Sequence, residues 1–544
     1  MFSIRLKTCW LLYILFLTIV GCNQKRSDKY QLGTAKLEVT GLNAAKDRFD
    51  QGLLLLHSFE YWDAADAFID AQNIDPEMPM AYWGEAMTYN HALWREQDYK
   101  KGVAALQKFG DSKEERRSKI AEGIEKDLFA AVEILYGQGE KLQRDKAYAQ
   151  FMENLYTKYS GNQEIAAFYA IALLGAVEEG RDDKIYDMGA KVAQGILDEN
   201  PSHPGALHYL IHSYDDPKNA YKALSAANSY SKVAKDASHA LHMPSHIYVA
   251  LGMWNEVVSS NEASFKASAD RARRKQLNSA GSYHALHWLM YGYLQQGRIK
   301  EARQIMFDMN GYRTKFPGKG ARDYLTAMKG TYLVETNNWL DTIALYHVDC
   351  NDLLISTRTV NAFILGMHAF HQGKISILDS IITSIELDRK KALNTIDTRN
   401  VSMCGGNWQY EFPNQLDIDQ SHVMELELRA MLSWHGRDTL GTKQLFKAAT
   451  ELEEQISYSY GPPVIIKPSH EMYAHWLLEI NDSKNAIIQF EKALERAPKR
   501  VLSLKGMLEA YHRLGQEDLS RKMASELKTI LMGNGENQSS VSEI

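Results

Sequence analysis

The sequence predicts an all-α solenoid of stacked antiparallel helix pairs. The first two copies of a short apolar and histidine pattern lie 34 residues apart, and a third lies 45 residues further on, which indicates a longer loop in that repeat. A period of 34 residues is typical of a repeat made of two helices. Neighbouring repeats bury their apolar faces only against one another, so they form one continuous core. The three copies are Ala206-Leu207-His208 with His212, Ala240-Leu241-His242 with His246, and Ala285-Leu286-His287 with Tyr291.

Two further repeats lie near the ends of the chain. In each, small residues allow two helices to approach, an aromatic ring fills the gap and a proline ends the second helix. This spacing is that of a tetratricopeptide repeat. The sequence shows no extended alternation of polar and apolar residues, so we expect little β structure. The matching positions are Gly52, Ala64, Phe68, Ala71 and Pro76, and then Ala474, Ala486, Phe490, Ala493 and Pro498.

The N-terminus predicts a lipid anchor. Residues 1–21 contain Arg5 and Lys7 followed by a short apolar run, which is the pattern of a secretory signal peptide rather than of a spanning helix. Ile19-Val20-Gly21-Cys22 resembles a bacterial lipobox, which implies cleavage before Cys22 and lipidation of that residue. Two or three acyl chains anchor a protein stably, because each buried methylene contributes about 0.8 kcal/mol. An ordinary secretory signal with a chance cysteine is the alternative.

Composition predicts the domain boundaries. The polar residues 22–36 predict a flexible tether, and residues 533–544 predict a disordered tail. The solenoid is expected over 37–532, with an irregular insertion at about 388–414, where the helical pattern is weak. The formal net charge is −6 and the chain has no basic block, which argues against nucleic acid as a partner.

The middle of the chain is rich in histidine. Eight of its eighteen histidines lie between His203 and His287. Histidines four residues apart share one face of a helix, and equivalent helices of adjacent repeats stack about 10 Å apart, so two pairs can converge on one point. Neutral imidazole suits a transition metal such as Zn, Cu or Fe. The pattern therefore predicts a metal site with six candidate ligands, which are His208, His212, His242, His246, His284 and His287.

Four other residues are candidates for groups that line the concave groove, namely His239, Tyr291, Asp215 and Asp216. The aspartates are also suited to ligate a metal or to orient an imidazole. Two alternatives to a metal site stay open: the histidines bind a ligand or peptide through hydrogen bonds, or they only support the repeats. Pro244 weakens the metal hypothesis, because a helix that begins near His242 would place this proline in its first turn. His242 and His246 would then straddle a helix N-terminus.

The chain resembles a bacterial family of tetratricopeptide-repeat proteins. The matching stretches run in the same order over nearly the whole mature chain, and the motifs PGALHYLIH and HMPSHIY are the most specific. The resemblance implies the fold and a histidine-bearing middle, but no particular reaction. The stretches are Phe49–Met87, His203–Pro217, His239–Gly252 and Gly461–Leu477.

The lipobox resembles those of Gram-negative envelope lipoproteins. Asn23, Lys25 and Arg26 after the cysteine resemble the start of periplasm-facing members more than that of surface-exported ones. This implies a location in the bacterial cell envelope, at the outer membrane.

The favoured functional hypothesis is a membrane-anchored scaffold that binds a protein or peptide partner in its concave groove, because repeat solenoids supply extended binding surfaces. The alternative is a metal-dependent enzyme or metal-binding protein that uses the histidines of residues 203–287. Metal content separates the two hypotheses, because only the second requires bound ions.

Overall fold

The structure is a computed structural model that describes residues 30–178, 180–396 and 412–532. The described residues form an all-α, tetratricopeptide-like solenoid, as predicted, in which consecutive helices pack as pairs joined by short turns. The helices of the first half are α1 (Asn43–His57), α2 (Tyr61–Ile74), α3 (Pro79–Met87), α4 (Tyr99–Gln107), α5 (Lys113–Ser118), α6 (Ile124–Leu135), α7 (Lys141–Lys158), α8 (Gln163–Gly175), α9 (Asp183–Glu199), α10 (Pro204–Tyr214), α11 (Leu224–Val233), α12 (Ser238–His242) and α13 (Pro244–Leu251).

The second half continues the same pairing. Its helices are α14 (Trp254–Arg274), α15 (Tyr283–Gln295), α16 (Ile299–Lys315), α17 (Lys319–Thr336), α18 (Ile355–His371), α19 (Ile375–Ala392), α20 (Gln415–His435), α21 (Thr439–Gln455), α22 (Ser469–Glu479), α23 (Ser483–Arg496), α24 (Val501–Arg513) and α25 (Glu517–Met532). The β structure within the described residues is one short antiparallel ladder of β1 (Asn90–His91) and β2 (Glu96–Gln97).

Aromatic rings packed on glycines hold the end repeats together. A methyl group added to Gly52 or Gly84 would lie 2.7 or 2.4 Å from the ring of Phe68. One added to Gly506 would lie 2.0 Å from the ring of Phe490. Each ring is fully buried. The predicted Gly52, Phe68 and Phe490, together with Gly84 and Gly506, therefore set the closest approach of the helices.

The chain packs against the helical body from Leu32 onwards. Leu32 and Leu37 are 1% and 2% exposed, and the backbone N–H of Thr34 donates to the carbonyl of Ser202 at 2.9 Å. Part of the predicted tether at 22–36 is thus packed, because Leu32 buries apolar surface.

Several predicted segments fall outside the described residues: the signal peptide with Cys22, the start of the tether, the centre of the 388–414 insertion and the 533–544 tail. At the edges of the insertion, α19 continues to Ala392 and Asn414 caps α20. Within the described ranges, none of the helices combines the length and the apolar character needed to cross a membrane.

The buried apolar residues form two large cores. One is built mainly from α1 to α13, and the other from α15 to α25. Most of the predicted site residues lie where these cores meet, on α10, α12, α13 and α15.

Candidate metal centre

Three histidines, which we call triad A, converge beside the N-terminal core: His208, His212 and His239. The first two lie four residues apart on α10, and the third lies on α12. One ring nitrogen of each is within 4.8 Å of those of the other two. All three Nε2 atoms are buried and have no hydrogen-bond partner among the described residues.

Hydrogen bonds on the far side of the rings set the tautomers in triad A. Nδ1 of His208 lies 2.8 Å from the carbonyl oxygen of His57, and Nδ1 of His212 lies 3.1 Å from Oδ2 of Asp215. A carbonyl or carboxylate oxygen only accepts, so each Nδ1 carries the proton and donates it. The Nε2 atom of both rings therefore carries a lone pair.

A second set, triad B, consists of His242 at the end of α12, His246 on α13 and His284 on α15. Nε2 of His242 lies 3.2 Å from Nε2 of His246 and 2.9 Å from Nε2 of His284. Nitrogen ligands bound at about 2.0–2.1 Å to one metal ion are roughly 3 Å apart, so these separations fit a shared ion. Pro244 does occupy the first turn of α13, yet the two flanking histidines still meet.

The outer hydrogen bonds of triad B also direct lone pairs inward. Nδ1 of His242 lies 2.7 Å from Oδ1 of Asn261, whose amide nitrogen donates to the carbonyl of Val257 at 2.8 Å. That second bond identifies Oδ1 as the acceptor. Nδ1 of His246 lies 3.2 Å from Oδ2 of Asp215, and it is likewise the donor. The Nε2 lone pairs of His242 and His246 therefore face each other.

Asp215 joins the two triads. Its Oδ2 atom accepts hydrogen bonds from both His212 and His246. Burial alone would raise the pKa of Asp215, but these two histidines outweigh it and hold the pKa below its usual value. Nη1 of Arg181 lies 3.8 Å from Oδ1 of Asp215, and Nη2 of Arg181 lies 3.0 Å from Oδ2 of Asp216. Carboxylates placed in this way orient imidazole ligands and raise their basicity.

Burial holds four of the imidazoles in the neutral form. Burial lowers the pKa of His208, His239 and His242 well below the usual value, and it lowers the pKa of His284 to about 3. Neutral imidazole is the form that ligates metals.

A pocket of about 310 Å³ reaches both triads, because His239 of triad A and His242 and His284 of triad B line it. Its other walls include the aromatic side chains of Phe59 and Trp94. Residues of both triads therefore border one cavity.

Phe59 holds an unusual backbone conformation at the pocket. Its φ of 54° lies in the left-handed region, at the position after the end of α1 where glycine is common. Its ring centroid lies 4.2 Å from that of His208 and 5.5 Å from that of His239. Strain at a bulky residue of this kind is concentrated at functional sites.

The structure brings five of the six predicted metal ligands into the triads. The remaining one, His287, lies apart, with its Nε2 atom 2.8 Å from Oγ1 of Thr331. His239, predicted to line the groove, lines the pocket and also completes triad A. Tyr291 is 1% exposed and accepts a hydrogen bond from Arg500 at 3.1 Å.

Sequence reasoning missed three groups that shape the site. Asn261 on α14 and the carbonyl of His57 on α1 orient imidazoles, but no local pattern marks them. Trp288 stacks on His246 with ring centroids 4.7 Å apart. Its position four residues after His284 places it on the same helical face, which is a signal available in the sequence.

Comparison with known proteins shows only a distant structural likeness. No protein-family model matches the chain, and no curated protein matches it. Yeast Tom70 is 13% identical, with 88% of this chain and 99% of that chain covered and a TM-score of 0.33. A monomeric IFIT1 mutant with m7Gppp-AAAA is 13% identical, with 92% and 98% covered and a TM-score of 0.35. The P58(IPK) TPR domain is 13% identical, with 87% of this chain and 99% of that chain covered and a TM-score of 0.20.

Proposed function

We propose that the chain is a metalloprotein that binds two transition-metal ions, one in triad A and one in triad B, and acts as a metal-dependent enzyme. The observation that carries the proposal is the pair of Nε2 lone pairs of His242 and His246, which face each other at 3.2 Å. Two lone pairs at this distance repel each other unless a cation lies between them.

Triad A supports the same proposal by a separate argument. Leaving a buried polar atom without a partner costs about 1–3 kcal/mol. His208, His212 and His239 each leave one such nitrogen in the same small volume. A metal ion would satisfy all three together.

The pocket supports an enzyme over a structural metal site. Catalytic metal sites keep three protein ligands and leave a coordination position open, whereas structural sites are closed. Each triad supplies three imidazoles, and the 310 Å³ pocket supplies the space for water or a substrate. Pairs of ions in such sites clamp the reacting group from two sides.

Metal analysis tests this proposal. We would purify the full chain without a polyhistidine tag, strip it, load it with Zn²⁺ or Cu⁺ and measure the bound metal by mass spectrometry. We expect about two ions per chain, and about one in His212→Ala or His246→Ala. His287→Gln is the matched control and keeps two, because His287 lies outside both triads. A folded wild-type chain that binds no ion would overturn the proposal.

The location is a separate proposal, supported by the lipobox at Ile19–Cys22. It places the chain in the bacterial envelope as a lipoprotein of the outer membrane that faces the periplasm. Labelled palmitate should be incorporated into the wild type but not into Cys22→Ala, which should move to the soluble fraction. Equal membrane association of both would contradict the anchor.

Binding of a protein or peptide partner is the second candidate function. Trp62 lines the mouth of the pocket and is 64% exposed, which favours docking of an extended segment there. Photocrosslinking from this position should capture a partner in the metal-free chain if the groove alone recognises it. Capture that requires the metal would identify a substrate instead.

A further inference from the structure

We infer that the ions in the two triads are copper and that the reduced pair binds one molecule of dioxygen. This inference rests on the proposed two-metal centre. It is carried by three features of the site: the donor atoms, the charge around them and the position of the pocket.

The six donors are all imidazole nitrogens. The carboxylate of Asp215 reaches only the Nδ1 edges of His212 and His246, so it orients ligands and does not bind the ions. A donor set without oxygen disfavours Mg²⁺, Ca²⁺ and Mn²⁺, and imidazole suits copper, which has the highest affinity in the divalent series. Three nitrogens around one ion also suit the trigonal coordination of Cu⁺.

The local charge favours a pair of monovalent ions. Asp215, Asp216 and the exposed Asp183 share the single guanidinium of Arg181, so these four groups carry a net charge of −2 beside the triads. Two divalent ions would add four positive charges to a buried site, and two Cu⁺ ions add only two. Burying uncompensated charge is costly, so the site favours the monovalent pair.

The pocket provides the space in which dioxygen would bind beside both triads. His239 of triad A and His242 and His284 of triad B line the same pocket, and the ring centroids of His239 and His242 are 6.2 Å apart, so a diatomic molecule in the pocket would bridge the two ions. Each Cu⁺ gives one electron to dioxygen, which yields two Cu²⁺ and a dioxygen dianion bound between them. The dianion offsets the two new positive charges, so the net charge of the site does not change. No external oxidant or reductant is needed, and return of the two electrons releases dioxygen.

The test uses the full chain, stripped of metal and loaded with Cu⁺ under argon in the presence of a Cu⁺ chelator. We expect two copper ions per chain and uptake of one dioxygen per two coppers, with a new charge-transfer absorption that disappears under argon. The chain loaded with redox-inert Zn²⁺ should take up none. Uptake by His246→Ala should fall at least tenfold while one copper stays bound, and His287→Gln should match the wild type.

The outcomes separate this inference from the proposed function. Absence of any bound metal would overturn both. Two bound coppers without reversible dioxygen uptake would overturn the inference and leave the two-metal centre standing. Preferential retention of Zn²⁺ when equal amounts of both metals compete would likewise overturn only the copper assignment.

Discussion

The same core contains two groups of buried histidines that use their ring nitrogens in opposite ways. In the first group, His57 and His203 donate from Nε2 to the carboxylate of Glu164 at 2.8 and 3.2 Å. Their Nδ1 atoms accept from the hydroxyl of Tyr209 at 2.9 Å and from the backbone N–H of Ala206 at 3.1 Å. Every ring nitrogen of this group has a partner within the protein.

In triads A and B the carboxylate lies at the rim instead of the centre. Asp215 accepts hydrogen bonds from the Nδ1–H groups of His212 and His246, so the Nε2 atom of each ring faces the other histidines of its own triad. Both groups satisfy the distance criteria for holding a metal ion. The direction of the N–H groups separates them: the group around Glu164 pairs every ring nitrogen within the protein, whereas the triads turn ring nitrogens inward, where the proposed ions would bind.

The largest expected effect distinguishes these two groups by metal binding. His242→Ala should lower the affinity of triad B for its ion by more than about 100-fold, beyond the range seen for outer-shell partners, because Nε2 of His242 is the atom nearest both other ligands. His203→Ala should keep two ions per chain. Competition titration against a chromophoric chelator measures both, and loss of metal from His203→Ala would reverse the assignment.

The second effect is on stability: a substitution in the group around Glu164 should destabilise the chain but leave metal binding intact. Glu164→Ala should lower the free energy of unfolding of the metal-free chain by about 3–5 kcal/mol, because it leaves two buried N–H groups without their charged acceptor. Urea unfolding measures this, with Glu114→Ala as the exposed control, which should change it by less than about 0.5 kcal/mol. The folded variant should still bind two ions. A loss below 1 kcal/mol would mean that the carboxylate is not the centre of that group.

The fold could be predicted because its signals are local and repeated. Phe68 and Phe490 mark the ring packed on glycine in two distant repeats, and the 34-residue period places helices between them. The pairing of His208 with His212 follows from helical spacing alone.

The composition of the triads could not be read in the same way. His239 and His242 lie only three residues apart on α12, yet tertiary packing places the first in triad A and the second in triad B. The orienting groups lie far away in sequence, since Asn261 is 19 residues from His242 and His57 is 151 residues from His208. Only tertiary packing brings them to the rings.

The third effect concerns the carboxylate that the triads share. Asp215→Asn should lower metal affinity by about 10–100-fold, because an amide orients the two rings but no longer raises their basicity through its charge. Asp183→Asn, at an exposed residue that also pairs with Arg181, is the matched control and should leave affinity unchanged. The comparison would fail if Asp215→Asn bound metal as tightly as the wild type.

The smallest expected effect is on the pH dependence of the unfolding free energy, and it concerns His287, which lies outside both groups. Burial lowers the pKa of His287 to about 3, whereas an unfolded histidine has a pKa of about 6.5. Between these values the unfolded chain binds the additional proton, so the contribution of His287 to stability is fully present above pH 6.5 and falls as the pH drops below it. The difference in unfolding free energy of the metal-free chain between pH 7.5 and 5.5 should therefore shrink by about 1 kcal/mol in His287→Gln. Glutamine keeps a donor for Thr331, so stability at pH 7.5 should change little. An unchanged pH dependence would mean that His287 also takes up a proton in the folded chain, so burial does not hold it neutral.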